Sequence, residues 1–189
     1  MAAPGLSYHI RLDRPQDHLV HVTLIVPCDG ATAPIEVALP SWCPGSYLIR
    51  DYARHLRDLR VTGDDDRPRR AVKRDKATWA IEPDGAKALR VEYAVYGHDL
   101  SVRTNHVDDT HAFLHGPATF LYVEALRHQP VTVELVGPPG RDWRLATAMT
   151  GGALGSGLGS GRIACGGILE KSGSLTKDCQ TVAELSRLR

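Results

Sequence analysis

Three closely spaced histidines are the residues of this 189-residue chain best suited to chemistry. His106, His111 and His115 lie in one stretch, with Asp108 and Asp109 between them. Imidazole and carboxylate groups suit zinc, and three histidines can ligate one ion. In an extended strand, however, His111 and His115 share a face but lie about 13 Å apart, which is too far for one ion. Histidines on a surface or pocket rim are therefore the favoured interpretation, and a small metalloprotein is an alternative.

Cys43 is the second candidate, because it lies in a tight loop with the sequence PSWCPGS. A nucleophilic cysteine needs a neighbouring base that favours its thiolate form. His55 is the nearest histidine in sequence, and nothing in the sequence brings the two together. We expect a buried or half-buried cysteine without a catalytic role. The four cysteines show no C-x-x-C spacing, which favours a reducing compartment over a disulfide framework.

The loop around Cys43 is itself a candidate binding element. Trp42, Tyr47 and Tyr52 provide aromatic anchors, and the Arg50 guanidinium has the shape to bind a carboxylate. Pro44-Gly45 fixes a turn, and loops on a rigid scaffold commonly carry binding residues. The competing interpretation is a packed structural loop.

Charge and missing motifs exclude several functional classes. Residues 50–76 hold ten basic and six acidic side chains, but the whole chain carries a formal charge of only +1. No aromatic platform accompanies the basic residues, so a nucleic-acid partner is not expected. The sequence contains no H-E-x-x-H, no phosphate-binding loop and no G-x-S-x-G. These absences favour a non-catalytic module.

No apolar run approaches the 18 residues of a membrane span, and the amino-terminal residues do not resemble a secretory signal. The sequence therefore predicts a cytoplasmic protein without a membrane partner.

The sequence predicts that β-strands position these residues. Alternating apolar residues and frequent turn formers predict an all-β fold, an antiparallel β-sandwich. A helical turn or two is possible after residue 52. The predicted strands are residues 8–12, 19–26, 35–39, 59–62, 78–81, 89–95, 100–104, 119–123, 131–135 and 144–148.

Composition changes abruptly near Met149. Residues 150–189 contain no aromatic residue and no histidine, yet they hold half of the 18 glycines. The sequence therefore predicts a folded domain at residues 5–149 and a glycine-rich, poorly ordered tail at 150–189. Val182, Leu185 and Leu188 have helical spacing, so a short helix at 181–188 is possible.

Several ordered segments carry a family resemblance that covers residues 7–149. They are Leu39-Pro40-Ser41-Trp42, Pro44-Gly45-Ser46-Tyr47, Ile49-Arg50-Asp51-Tyr52-Ala53-Arg54, Lys73-Arg74-Asp75-Lys76 with Trp79, Val91-Glu92-Tyr93, Val95-Tyr96, Ser101-Val102-Arg103-Thr104, His111-Ala112-Phe113 and Trp143-Arg144-Leu145-Ala146-Thr147-Ala148. In these segments the sequence resembles the amino-terminal domain of the glycyl aminopeptidase family, the PDZ-containing gluzincin metallopeptidases.

The resemblance implies a β-sandwich domain of an enzyme that removes small amino-terminal residues, such as glycine, from peptides. The zinc ligands of that family lie in a following thermolysin-like domain, and none of them maps onto this chain. We therefore expect no cofactor and no catalytic residue here, and peptide substrate only through a missing catalytic domain. The candidates for a substrate-cleft or interdomain face are Tyr47, Arg50, Asp51 and Arg103.

The tail departs from the family where the catalytic domain should begin, which suggests a truncated or frame-shifted product. The sequence thus predicts a non-catalytic module of a zinc aminopeptidase, inactive alone. The alternative is an independent β-sandwich module that uses the same loop to bind a peptide or protein partner.

Overall fold

Short strands make up most of the chain in the computed structural model, which describes residues 5–43, 46–140, 143–146, 160–165 and 182–187. The strands in these ranges are β1 (Ser7–Arg11), β2 (Leu19–Pro27), β3 (Ile35–Ala38), β4 (Leu56–Gly63), β5 (Ala71–Lys73), β6 (Thr78–Ile81), β7 (Ala88–Tyr96), β8 (His106–Val107), β9 (His111–His115), β10 (Val131–Val136), β11 (Trp143–Ala146), β12 (Ser160–Cys165) and β13 (Val182–Arg187).

Helical structure in the described residues is limited to single turns. One short α-helix, α1, covers Gly116–Thr119, and 3-10 turns cover Pro15–Asp17, Tyr52–His55 and Glu124–Leu126. The helical turn predicted after residue 52 is therefore confirmed. None of the helices in the described part of the chain is long and apolar enough to cross a membrane.

The strands form three sheets around one hydrophobic core, which confirms the predicted all-β sandwich. The sheet orders are β12-β10-β1-β2-β7-β4, β11-β13-β9-β8 and β3-β6-β5. Neighbouring strands are antiparallel except for β1 and β10, which are parallel. Leu24 of β2, Ile81 of β6 and Leu114 of β9 belong to one buried cluster, so all three sheets contribute to the same core.

The antiparallel pair of β2 and β7 sets the long axis of the largest sheet. The alternation predicted for β2 is confirmed, because its four even-numbered residues, 20 to 26, are all buried. The register runs from Leu19 opposite Tyr96 to Pro27 opposite Ala88. Turns around Gly30 and Gly85, both with positive φ, lie at the second end. The two ends are roughly 27 Å apart. The candidate site lies at the end where Leu19 pairs with Tyr96.

Three predicted elements differ in the structure. Residues 100–104 form turns rather than a strand, and only Tyr122 of the predicted strand at 119–123 pairs, through a bridge to Ala38. The possible helix at 181–188 is wrong, because Val182–Arg187 is a strand between β9 and β11. In each case the pairing partners, which the local pattern does not show, decide the conformation.

The predicted tail is described at two places only. Ser160–Cys165 pairs with β10, and Val182–Arg187 pairs with β9 and β11. The other residues of 150–189 lie outside the described residues, as does the Pro44-Gly45 turn.

Candidate functional site

Two loops at one end of the β2–β7 strand pair carry the exposed large apolar side chains of the described residues. The first loop is residues 40–51 and the second is residues 98–105. All the large hydrophobic residues classed as exposed in the described ranges lie in them, with exposed fractions from 46% to 103%. We call this set the two-loop surface, and its members are Trp42, Tyr47, Leu48, Ile49, Leu100 and Val102.

The first loop is held in shape by its own hydrogen bonds. The Arg50 backbone N–H donates to the Ser41 carbonyl at 2.6 Å, which closes the loop. The Trp42 indole N–H donates to the Ser46 carbonyl at 2.8 Å, and the Ser46 hydroxyl donates to the Leu48 carbonyl at 2.8 Å. These bonds turn the backbone so that the side chains of Tyr47 to Ile49 face solvent.

A buried polar contact joins the roots of the two loops. The hydroxyl of Tyr52, at the end of the first loop, lies 3.4 Å from His115 Nε2. The His115 backbone N–H donates to the side-chain carbonyl of Asn105, at the end of the second loop, at 2.7 Å. The Thr119 hydroxyl donates to the same Asn105 oxygen at 3.0 Å. Because Asn105 is fully buried, this network fixes both loops at one edge of the sandwich.

The histidines near the first loop are poor candidates for a base. Burial lowers the pKa of His115, so its imidazole is a weaker base and does not readily form the imidazolium that would stabilise a thiolate. Burial, followed by the charges of Arg54 and Arg57, lowers the pKa of His55. Cys43 Sγ lies 4.0 Å from the Tyr52 hydroxyl, and His55 instead accepts a hydrogen bond from Arg54. Among the described residues, these contacts therefore place no base beside the half-buried Cys43 thiol.

The structure places three of the four predicted face residues on the first loop. Tyr47 is completely exposed, and Arg50 closes the loop through its backbone. Asp51 forms an exposed ion pair with Lys76 at 3.3 Å. Arg103 lies exposed on the second loop, where its backbone N–H donates to the Ser101 hydroxyl at 3.1 Å.

Sequence reasoning missed the apolar members of this surface. Leu48 and Ile49 received no role, and Leu100 and Val102 were assigned to a strand. The available signal was a pair of adjacent aliphatic residues inside a loop rich in proline and glycine. Such residues are out of place in a solvated turn unless something covers them.

The histidine cluster has a different membership from the one weighed in the sequence. Ligand atoms of His106, Asp108 and His111 all lie within 4.8 Å of one another. His115 is not in this group, because it faces Tyr52. The two-residue turn after Asp108 brings His106 and His111 together, and that turn was not recognised in the sequence.

The described residues offer no zinc-peptidase site. Such a site holds two histidines and a glutamate on one helical face, and the sequence contains no H-E-x-x-H. The one α-helix in the described ranges, α1, has four residues and carries no acidic side chain. The described residues therefore do not fit the catalytic zinc ion of a peptidase.

The chain is similar to known proteins in both sequence and fold. Residues 7–158 match the family model described as the Peptidase M61 N-terminal domain. A crystal structure of an aminopeptidase N family protein from Idiomarina loihiensis superposes with a TM-score of 0.79 and 26% identity, over 96% of this chain and 29% of that chain. No curated protein matches.

Structures of an M1 zinc metallopeptidase from Deinococcus radiodurans share the fold. A mutant bound to a Tyr-Ser-Ala substrate gives a TM-score of 0.52 at 14% identity, over 98% of this chain and 43% of that chain. The same enzyme in another structure gives 0.51 at 14% identity, with the same coverage. This chain therefore spans less than half the length of the solved proteins that it resembles.

Proposed function

The chain belongs to the Peptidase M61 N-terminal domain family, and we propose that it is the non-catalytic amino-terminal module of a zinc aminopeptidase. In this proposal the two-loop surface packs against the catalytic domain and borders its substrate cleft. The complete enzyme removes small amino-terminal residues such as glycine from peptides, a preference proposed from the sequence resemblance.

The observation that carries the proposal is that, among the described residues, every large exposed apolar side chain lies in these two loops. A contiguous apolar surface with polar residues around it is typical of an interface. The similar protein from Idiomarina loihiensis has 71% of its chain beyond the matched 29%, which is ample material to cover this edge. A domain lying there would remove Tyr47, Ile49 and Leu100 from water.

The charged residues suit the rim of such an interface. Arg50 and Arg103 border the apolar side chains, and Asp51 with its Lys76 partner lies at the same margin. Arginine at an interface binds carboxylates through two parallel hydrogen bonds, and aromatic residues anchor the centre. We therefore expect Tyr47 and Trp42 to contribute contact area, and the arginines to fix orientation.

The described residues contain no peptidase site, which is consistent with a non-catalytic module. Peptide hydrolysis by zinc enzymes requires an ion that polarises the carbonyl and lowers the pKa of water. The purified chain should therefore not hydrolyse glycyl-p-nitroanilide when zinc is added. Hydrolysis that a chelator abolishes would contradict the proposal.

Two measurements test the link to a catalytic domain. The nucleotide sequence downstream, read in all three frames, should encode an H-E-x-x-H motif. The chain joined to that encoded segment should show slower amide hydrogen exchange at 46–51 and 98–105 than the 189-residue chain. Residues 29–34, at the opposite end of the β2–β7 strand pair, are the internal control and should exchange equally. Unchanged exchange in both loops, or no such motif, would count against this function.

An independent binding module is the second candidate, favoured by the complete exposure of Tyr47 in this chain. It predicts a peptide or protein that binds the 189-residue chain saturably and one to one. The Ile49→Asp variant should lose that partner, whereas Ala33→Asp at the opposite end should keep it. A partner of this kind without a downstream catalytic segment would replace the first proposal with the second.

A further inference from the structure

We infer that the β8–β9 hairpin holds a binding site for a divalent transition metal of the zinc type, formed by His106, Asp108 and His111. This inference is independent of the proposed function, because it uses neither the two-loop surface nor a catalytic domain. It also differs from the sequence-based expectation of no cofactor in this chain, and from the small-metalloprotein alternative, which used His115 in place of Asp108.

The hairpin puts the three side chains on one face. His106 pairs with Phe113 and Val107 pairs with Ala112, and the Asp108 backbone N–H donates to the His111 carbonyl at 3.0 Å. The turn therefore contains only residues 109 and 110. Because side chains alternate along each strand, positions 106, 108 and 111 face the same side.

The distances are close to those of a bound set. His106 Nε2 lies 3.0 Å from Asp108 Oδ2, and His111 Nδ1 lies 3.5 Å from Asp108 Oδ1. Zinc binds nitrogen and oxygen at about 2.0–2.2 Å, which separates its ligand atoms by roughly 3.0–3.5 Å. The whole set lies within 4.8 Å, and His111 Nδ1 also lies 2.8 Å from the Thr110 hydroxyl. Binding of one ion by all three groups therefore requires the His111 ring to rotate away from Thr110.

Asp108 is held in place as an ionised ligand. Its Oδ1 accepts hydrogen bonds from the Thr110 backbone N–H at 2.6 Å, the Thr110 hydroxyl at 2.7 Å and the His111 backbone N–H at 2.9 Å. The ligand is therefore available without rearrangement of the turn.

His106 is an unusual residue to bury without a ligand. Its side chain is only 4% exposed, and its Nδ1 has no hydrogen-bond partner among the described residues. The ring lies in a row of imidazoles, 5.5 Å from His98 and 4.8 Å from His111 between centroids. Its other ring nitrogen, Nε2, faces Asp108 at 3.0 Å and is the atom that this ring presents to an ion.

The donor set selects the class of metal. Two imidazole nitrogens and one carboxylate oxygen suit zinc, cobalt or nickel, whereas calcium and magnesium prefer oxygen ligands. The remaining coordination positions are open to water, because His111 and Asp108 are 32% and 29% exposed. His106 forms an antiparallel β-bridge with His98, at the other end of the second loop. A bound ion would therefore also restrain the end of that loop.

The test uses the 189-residue chain without a histidine tag, stripped with chelator and titrated with zinc by calorimetry. We expect one site per chain, and cobalt in its place should give visible absorption bands of a nitrogen- and oxygen-ligated ion. His111→Ala and Asp108→Asn should each weaken zinc binding at least tenfold, since even an outer-shell partner is worth roughly 10–100-fold. His128→Ala, an exposed histidine in the 3-10 turn region, should bind as the parent does.

Circular dichroism shows whether each variant is folded, and if one of the two unfolds, the other decides. Absence of saturable binding would overturn the inference. So would unchanged affinity in a folded His111→Ala or Asp108→Asn variant, or an equal loss in His128→Ala.

Discussion

Tyr93 shows how a single hydroxyl group secures the chain beneath the site. Its hydroxyl donates to the Thr119 carbonyl at 2.9 Å and accepts from the Leu121 backbone N–H at 3.2 Å. The Tyr8 hydroxyl donates to the Leu121 carbonyl at 2.7 Å. Burial raises the pKa of Tyr93, so this phenol stays protonated and keeps its donor. Two tyrosines from the large sheet thus satisfy an irregular segment that has few strand partners.

Replacing Tyr93 with phenylalanine should destabilise the protein by about 1–3 kcal/mol, because two buried backbone groups lose their partner. Urea unfolding followed by circular dichroism measures the change. Tyr47→Phe is the matched control, since Tyr47 is wholly exposed and should unfold like the parent. Equal stability of Tyr93→Phe and Tyr47→Phe would contradict the assigned hydrogen bonds.

His115 should make stability depend on pH. Burial lowers its pKa in the folded protein, so the unfolded chain binds more protons once the pH falls below about 6.5. We expect a steady melting temperature above pH 7 and a decrease between pH 6.5 and 5. His115→Gln should flatten this decrease, and His55→Gln should flatten it less, because His55 is more exposed.

His128→Gln serves as the control for a histidine-to-glutamine change at an exposed position. A profile of His115→Gln that follows the parent at every pH would show that His115 does not carry the effect.

At the scale of elements, close packing at Gly97 sets the path of the second loop. A Cβ at this position would lie 2.5 Å from Asn105 Cβ and 3.0 Å from the Asn105 backbone. The same residue receives the Val107 backbone N–H and donates its own to the His18 carbonyl. Gly97 is therefore the point where the β7 end, the loop and β8 come together.

Gly97→Ala should cost about 1–3 kcal/mol, because the added methyl group pushes Asn105 away from the His115 backbone. Thermal and urea unfolding measure this loss. Thr32→Ala, at an exposed position between β2 and β3, is the control. We expect that variant to stay within about 0.5 kcal/mol of the parent.

The long strands were predictable and their partners were not. Alternation identified the cores of β2, β7 and β10, because each buries one face. The parallel pairing of β1 with β10 left no local trace, since it joins residues about 125 positions apart, as in Ser7 with Thr132. The apolar residues at 100–102 imitated a strand because the pattern does not show whether a chain has a neighbour to bond.

For the candidate site, the sequence predicted residues of the first loop but not how the two loops are joined. The Trp-, Tyr- and Arg-rich loop marked Tyr47, Arg50 and Asp51 from sequence, but the joining of the two loops through Tyr52, His115 and Asn105 needs coordinates. The histidine cluster failed for a physical reason, because a strand carries His111 and His115 apart while a tight turn carries His111 back to His106.

For the whole molecule, the uncovered edge predicts behaviour in solution. Sedimentation velocity of the isolated chain should show association that increases with concentration, because apolar surface is left in water. Ile49→Asp should reduce this association, and Ala33→Asp at the far end should not. A chain that stays monomeric at all concentrations tested would indicate that the two-loop surface is too small to associate by itself.

The parallel contact of β1 with β10 has a consequence for biosynthesis. The ribosome releases Ser7–Arg11 early, and β2 can pair with one side of that strand soon afterwards. Its other side has no neighbour until Val131–Val136 has been made. Until then the nascent chain presents an open row of amide and carbonyl groups, the kind of template on which misassembly begins.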